Sequence, residues 1–335
     1  MASTTIGGIE VLFGEAHRDF TKRWLRFGPS MEILQSVQMN KLVPAILAWS
    51  PYGKQGNEWY PRGYAIVNVD SRGIYDADGD MFFLGTQPWC NGAVAVAGNS
   101  YLAAAQWFIA AERPPHLKAI APWEGFADFY REFNGRGGIP NYAFVDYCAS
   151  GYRGNNRQED TGAMIRKYSL WNAYWDDKSV KFAQIDVPIH ALASFSTMLR
   201  TEGTIRVFLF SSSEDKWLRI HHTQGWYDIY QMSSNDELQK FFDRYSYGKT
   251  NDWESTAKVR HGLLGFNCEC IVNKPEPVYP PSYVEHRTFF LDSQTATMSE
   301  CGASSKPSST SYVSDSWDDD GAHFVHTFSK YYRVD

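Results

Sequence analysis

Val94-Ala95-Val96-Ala97-Gly98-Asn99-Ser100-Tyr101-Leu102-Ala103-Ala104-Ala105-Gln106-Trp107 runs four small apolar residues into a glycine, then a serine, then a helix-forming stretch. A buried strand ending at Gly98 and a helix starting near Tyr101 leave Ser100 on the sharp turn between them. Such a turn exposes a hydroxyl as a nucleophile, and the following backbone N–H, that of Tyr101, can face an oxyanion. The full pattern is Gly-x-Ser-x-Gly. Leu102 stands at its last position, so half the motif is present. A strand–Gly–x–Ser–helix also occurs where no chemistry is done, and the surrounding sequence has to decide.

Working outward, residues 41–49, 63–70, 117–122, 187–193 and 217–221 are near-continuous apolar runs bounded by turn residues. Runs of this kind, separated by helical stretches, predict a parallel sheet covered on both faces, an α/β fold. The Ala-rich run 101–112 is the clearest helix, stopped by Pro114-Pro115. Residues 124–185 show no strand pattern but offer helices at 126–133 and 162–176. Lying between two core strands, they read as an inserted cap over the carboxyl ends of the strands, where open α/β sheets bind ligands. Residues 237–247 form an amphipathic helix. After Asn251 the texture alternates, at 259–266, 285–291 and 323–328, with a polar loop at 304–316. The expected organisation is an unassigned segment 1–40, a core of 41–123 and 186–251, a helical cap 124–185, and a β module 252–335.

Of 335 residues, 43% are hydrophobic and 16% aromatic, enough for a sizeable core. The net charge is −6 with no basic block, which argues against nucleic acid and anionic membrane as partners. No apolar run is long enough to span a membrane, and residues 1–10 lack the pattern of a secretory signal. The five cysteines, Cys90, Cys148, Cys268, Cys270 and Cys301, do not form a disulfide framework. Cys268-Glu269-Cys270 reads as two ordinary thiols rather than a metal pair. These features predict a cytoplasmic protein with no cofactor and no metal, and leave the oligomeric state open.

Several stretches in order, Ser50-Pro51-Tyr52-Gly53-Lys54, Arg62-Gly63-Tyr64-Ala65-Ile66-Val67-Asn68-Val69-Asp70-Ser71-Arg72-Gly73, Gln87-Pro88-Trp89-Cys90-Asn91-Gly92, Gly98-Asn99-Ser100-Tyr101 and Leu117-Lys118-Ala119-Ile120-Ala121-Pro122, resemble the X-Pro dipeptidyl-peptidase (S15)/cocaine esterase (CocE/NonD) family of α/β-hydrolases. Phe241-Phe242-Asp243-Arg244-Tyr245 resembles the family's helix that closes the catalytic domain. The last segment resembles the start of its jelly-roll domain. The resemblance implies an α/β-hydrolase core with an inserted helical cap and a partial jelly-roll-like module. It implies ester or amide hydrolysis, X-Pro dipeptidyl bonds included, through a Ser-His-Asp triad, with a small ester, an amide or a short peptide as substrate. Ser100 is then the nucleophile, and Tyr52 donates to the oxyanion beside the Tyr101 backbone N–H.

The departures are specific. The family's acid follows the fifth strand, but Ala193-Ser194-Phe195-Ser196-Thr197 holds no carboxylate, and Glu202 is the nearest one downstream. The family's histidine falls near Gly225, whereas His221 and His222 stand a few residues earlier and Asp228 follows. His221 and His222 are therefore the candidate bases, with Asp228 and Glu202 the candidate acids. A backbone- or water-bonded pair at a strand end is the competing reading of the two histidines. His190, inside a strand, reads as a satisfied core residue. The short connections 55–61 and 74–87 mark an abridged family member. That makes a catalytically impaired, ligand- or partner-binding relic of the fold the alternative to an active hydrolase.

Overall fold

The structure is a computed structural model, and it describes residues 4–12, 42–50, 62–70, 89–151, 159–197, 200–265, 267–295, 297–302 and 309. The chain divides into two compact units, Met1–Pro277 and Val278–Asp335.

The first unit is built on an eight-stranded sheet. Its strands are β3 (Val43–Ser50), β4 (Ala65–Asp70), β5 (Cys90–Asn99), β6 (Leu117–Trp123), β7 (Ile189–Ser194), β8 (Lys216–His221), β9 (Val259–Leu263) and β10 (Ile271–Glu276). Their order across the sheet is β10-β9-β8-β7-β6-β5-β3-β4. All neighbours are parallel except β10, which runs antiparallel to β9. The inner strands carry small or branched apolar residues on both faces. Ala95, Val96, Ala119, Ile120, Ala121, Ala191, Leu192, Leu218 and Ile220 are all buried, as expected of a parallel sheet covered on both sides.

Helix α1 (Tyr101–Ala111) follows β5 at once and buries Ala103, Ala104, Trp107 and Ala110. Helices α2 (Tyr142–Gly151), α3 (Thr161–Lys167) and α4 (Ala173–Asp177) follow β6. Next come α5 (Thr201–Phe210) after β7, α6 (Gly225–Ile229) after β8, and α7 (Met232–Tyr245). Helix α7 lays Leu238, Phe241 and Phe242 into a core with Trp123, Leu192, Trp217 and Trp253. Fully burying one such side chain stabilises the fold by roughly 1.5–3 kcal/mol. Two of the stretches that carry the resemblance meet here: the Tyr64 hydroxyl donates to Asp243 Oδ1 at 2.7 Å.

Between β6 and β7 the chain makes a π-helical turn at Phe129–Asn134 and then α2, α3 and α4. The sequence pattern merged 162–176 into one helix. Asn172 divides it, because its side chain accepts from the Tyr174 and Trp175 amides and restarts the helix as α4. Strands β1 (Thr4–Ile6) and β2 (Ile9–Val11) form a hairpin. Val11 joins Met164, Ile165, Tyr174 and Trp175 in a second apolar cluster. The segment left unassigned in the sequence thus contributes packing to the inserted region.

The expectation of a separate β module from residue 252 is corrected at its start. Strands β9 and β10 extend the main sheet rather than opening a second one, and the compact unit runs to Pro277. Alternation shows that a segment is strand but not which sheet it joins. The second unit has one described hairpin, β11 (Phe290–Asp292) with β12 (Thr297–Ser299). The alternating stretch 323–328 lies outside the described residues.

A charged knot ties β7, β8 and β9 to α7. Glu237 on α7 accepts from Arg260 at 2.9 Å and lies 2.9 Å from His190 Nε2. Burial alone pushes the Glu237 carboxyl up, but the bond from Arg260 and the nearness of His190 and Arg219 hold it far below the usual range. Burial pushes the His190 imidazole down, against the pull of Glu237 beside it. Glu237→Ala leaves Arg260 without its carboxylate. The loss is expected to be about 2 kcal/mol by urea denaturation, below the 3–5 kcal/mol of a fully enclosed pair because the carboxylate is 20% exposed. An unchanged midpoint would refute this account of the knot.

Candidate functional site

The carboxyl ends of β5, β6, β7 and β8 lie side by side, and each carries a polar residue: Ser100, Glu124, Ser194 and His221. Ser100 is the turn between β5 and α1, with φ 67° and ψ −117°. Side chains rarely adopt such a backbone, and in native structures it concentrates at functional sites. Gly98 makes the turn possible. Its φ is +148°, and a β-carbon there would lie 2.4 Å from Leu102 Cβ. Leu102, which breaks the full motif, thus packs directly over the one glycine that the motif keeps. The Ser100 amide donates to the Trp123 carbonyl at 2.9 Å, which pins the turn to the end of β6. Tyr101 is the first residue of α1, whose opening amides point toward the Ser100 end.

The residue after Trp123 is Glu124. It is wholly buried and has φ 55°. Its amide donates to the Leu192 carbonyl at 2.7 Å. Its Oε1 lies 3.0 Å from His221 Nε2, and Oε2 lies 4.0 Å from Arg200. The approach to the imidazole is close but poorly directed: among the described residues neither Glu124 oxygen has a hydrogen-bond partner. Gly125 lets the chain turn away tightly, since a β-carbon there would meet Trp107 Nε1 at 2.6 Å.

His221 ends β8 and is buried, with Nδ1 3.4 Å from the Thr223 hydroxyl. His222 faces the other way, its Cβ beside Gly262 of β9. Asp228 is bonded to Arg219 and Ser234 rather than to either histidine. Glu202, in the first turn of α5, is exposed. Tyr52 lies outside the described residues. The turn after β7, where the resemblance places an acid, has another use. Ser194 Oγ donates to the Thr223 carbonyl and Ser196 Oγ to the His222 carbonyl, stapling the turn after β8 in place.

Glu124 is the site residue that the sequence reading missed, and a signal for it was present. Pro122-Trp123-Glu124-Gly125 places a carboxylate directly after a core strand, as the run 217–221 places His221 at the end of another. Gly225 stands where the family's histidine was expected. A β-carbon at Gly225 would lie 2.7 Å from Glu124 Oε1 and 2.6 Å from Asn99 Nδ2. The carboxylate occupies the space that a side chain at 225 would need.

Among the described residues no group of three or more His, Cys, Asp or Glu is arranged to hold a metal ion. None of the described helices is long and apolar enough to cross a membrane. The same edge of the sheet thus carries a strained serine at the end of β5 and, 3.0 Å apart, a buried carboxylate and an imidazole at the ends of β6 and β8. Those are the parts of acyl transfer to a hydroxyl.

Residues 37–234, more than half of the chain, match the family described as X-Pro dipeptidyl-peptidase (S15 family). Cocaine esterase of Rhodococcus sp. (strain MB1 Bresler) is 35% identical over 100 residues, covering 26% of this chain and 17% of that protein. A CocE/NonD family hydrolase from Staphylococcus aureus superposes with a TM-score of 0.68 at 25% identity, covering 78% of this chain and 55% of its own. An α-amino acid ester hydrolase shares the fold, with a TM-score of 0.54 at 14% identity over 81% of this chain and 60% of its own. The chain thus spans little more than half the length of the staphylococcal structure, and its match to cocaine esterase covers less than a fifth of that enzyme.

Proposed function

The chain belongs to the X-Pro dipeptidyl-peptidase (S15) family with an α/β-hydrolase fold, and we propose that it is a serine hydrolase cleaving ester or amide bonds through an acyl-enzyme on Ser100. The observation that carries the reading is the Ser100 backbone, strained at the head of α1 in the middle of the sheet's carboxyl edge. Ser100 Oγ attacks the acyl carbonyl and its proton passes to His221. The tetrahedral intermediate expels the alcohol or amine, which takes that proton, and water then releases the acid. His221 fits the role better than His222, because it reaches Glu124 at the end of β6 while the His222 Cβ lies beside Gly262 of β9. The Tyr101 backbone N–H and the Tyr52 hydroxyl are the proposed oxyanion donors. Small acyl esters are the proposed substrates ahead of dipeptides. Cocaine esterase, similar over 100 residues, is by its name an esterase. The proposed location is the cytoplasm, since the five cysteines are all free thiols.

The test is labelling of the whole chain with a fluorophosphonate, read as a mass increase on the Ser100 peptide. One equivalent of label on wild type and none on Ser100→Ala is expected. Equal labelling of the two refutes the nucleophile.

The second reading is a ligand-binding relic. It is favoured by Gly225 standing at the family's histidine position and by the lack of a carboxylate at 193–197. It predicts a cooperative melt and no label.

A further inference from the structure

We propose that Glu124 is the carboxylate that positions the base of this hydrolase, at the end of β6, replacing the acid that the family carries after β7. The inference rests on the Ser100 reading and extends it to a residue outside the family's triad pattern.

Four observations converge on Glu124. The first is contact. Of the carboxylates considered for the site, Glu124 reaches His221, at 3.0 Å, whereas Asp228 is bonded to Arg219 and Ser234. The second is strain. Ser100 and Glu124 end adjacent strands and both hold positive φ. Such conformations cost of order 1–3 kcal/mol each and persist only where the surroundings over-determine them. Here the Ser100 amide on Trp123 and the Glu124 amide on Leu192 fix both turns.

The third is burial without satisfaction. The carboxylate is fully enclosed, yet both oxygens lack a directed hydrogen bond among the described residues. Structures rarely leave buried polar atoms so, and each case calls for an explanation. A carboxylate poised to stabilise an imidazolium that forms only during reaction supplies one. The fourth is exchange of volume. Gly225, where the family's histidine is expected, is the residue that makes room for the Glu124 carboxylate. The loss at one position and the gain at another occupy the same space.

Among the described residues, Arg200 ahead of α5, Asn99 on β5 and Thr223 after β8 face the pair, and Arg200 is the cation of the three. It stands 4.0 Å from Oε2, farther than the 3.0 Å between Oε1 and His221 Nε2. When Ser100 gives up its proton, the new positive charge on the ring meets a carboxylate already in place. That needs no reorganisation during the step.

The experiment measures the fluorophosphonate labelling rate at Ser100, with thermal melts, for wild type, Glu124→Gln, Glu124→Asp, His221→Ala and the double variant Glu124→Gln/His221→Ala. Glu124→Gln is expected to label at least about 100-fold more slowly at neutral pH, as when a triad acid loses its charge. Glu124→Asp is expected to recover part of the rate. In the His221→Ala background, Glu124→Gln is expected to cost less than about threefold more, because residues that act as a unit are strongly non-additive. A structural role would give additive losses that follow the melting temperature. Wild type labelled and Glu124→Gln labelled equally fast, or additive losses, overturn the proposal alone. Wild type unlabelled overturns the Ser100 reading and the proposal with it. Where Glu124→Gln does not melt cooperatively, Glu124→Asp with and without His221→Ala gives the same decision.

Discussion

Ser100→Gly is expected to abolish acylation and to raise the melting temperature of the same molecule. The two effects have different origins. Removing Oγ leaves nothing for the acyl group to bond to. By analogy with other serine hydrolases, p-nitrophenyl acetate turnover is expected to fall by roughly 10⁴–10⁶-fold. The stability effect comes from the backbone. At φ 67° and ψ −117° a β-carbon is strained, while glycine reaches such conformations freely. Relief is worth of order 1–3 kcal/mol, less the ~0.5–1 kcal/mol that glycine's extra freedom lends the unfolded chain. A net gain of about 1 kcal/mol is expected, or roughly 2–4 °C in a unit of this size. Ser100→Ala is the control, because it deletes the nucleophile and keeps the strain. It should lose the same activity and melt where wild type does. Should Ser100→Gly melt no higher than Ser100→Ala, the turn is not strained. The fold would then have no reason, beyond chance, to hold a serine there.

That trade between strain and reactivity is also why the core was legible in the sequence. Strands β5 to β8 announced themselves because parallel strands are buried on both faces and must be apolar along their length. The Gly98-x-Ser100 turn announced itself because a glycine is required where Leu102 packs over the strand. Features set by one residue's backbone or by one local pattern can be read without a structure. Helix α7 was read from residue 237, although it begins at Met232. Its first turn is polar apart from Met232, so nothing periodic marks it.

The carboxylate that meets His221 was harder to find, for a physical reason. Which carboxylate meets an imidazole depends on strand order, and order across a sheet is not written along the chain. Asp228 lies nearer His221 in sequence than Glu124 does, yet it pairs with Arg219, the strand residue two before the histidine. Glu124 lies 97 positions away in the chain and two strands away in the sheet. The β9–β10 pair shows the same limit. Its alternation was read as the opening of a separate module, whereas its partner turned out to be β8.

A pH dependence follows from a second buried carboxyl, at the base of the inserted region. Glu132 lies on the π-helical turn at Phe129–Asn134 and is 2% exposed. Its Oε2 accepts from the Ala127 amide at 2.8 Å, and its Oε1 lies 3.1 Å from Arg206 on α5. Gly203 of α5 admits it, since a β-carbon there would lie 2.3 Å from Oε2. The carboxyl thus joins the insertion to a core helix. Burial pushes it up to about 7 from 4.5. The Ala127 amide and Arg206 pull against that shift, while Glu202 and Asp128 reinforce it. Below pH 4.5 the group is protonated in both folded and unfolded chains. Between 4.5 and 7 the unfolded chain releases its proton while the folded chain keeps it, so stability falls as pH rises. Above 7 both are ionised and the contribution is level. At 1.36 kcal/mol per pH unit the decline totals about 3 kcal/mol. Glu132→Gln removes the titration and keeps an acceptor for Ala127. The stability of the variant relative to wild type is therefore expected to rise between pH 5 and pH 7 and stay constant above, as measured by urea midpoints at unit steps of pH. A difference that does not change with pH would mean that Glu132 is ionised throughout. The join between insertion and core would then be an ordinary ion pair with Arg206 rather than a protonated contact.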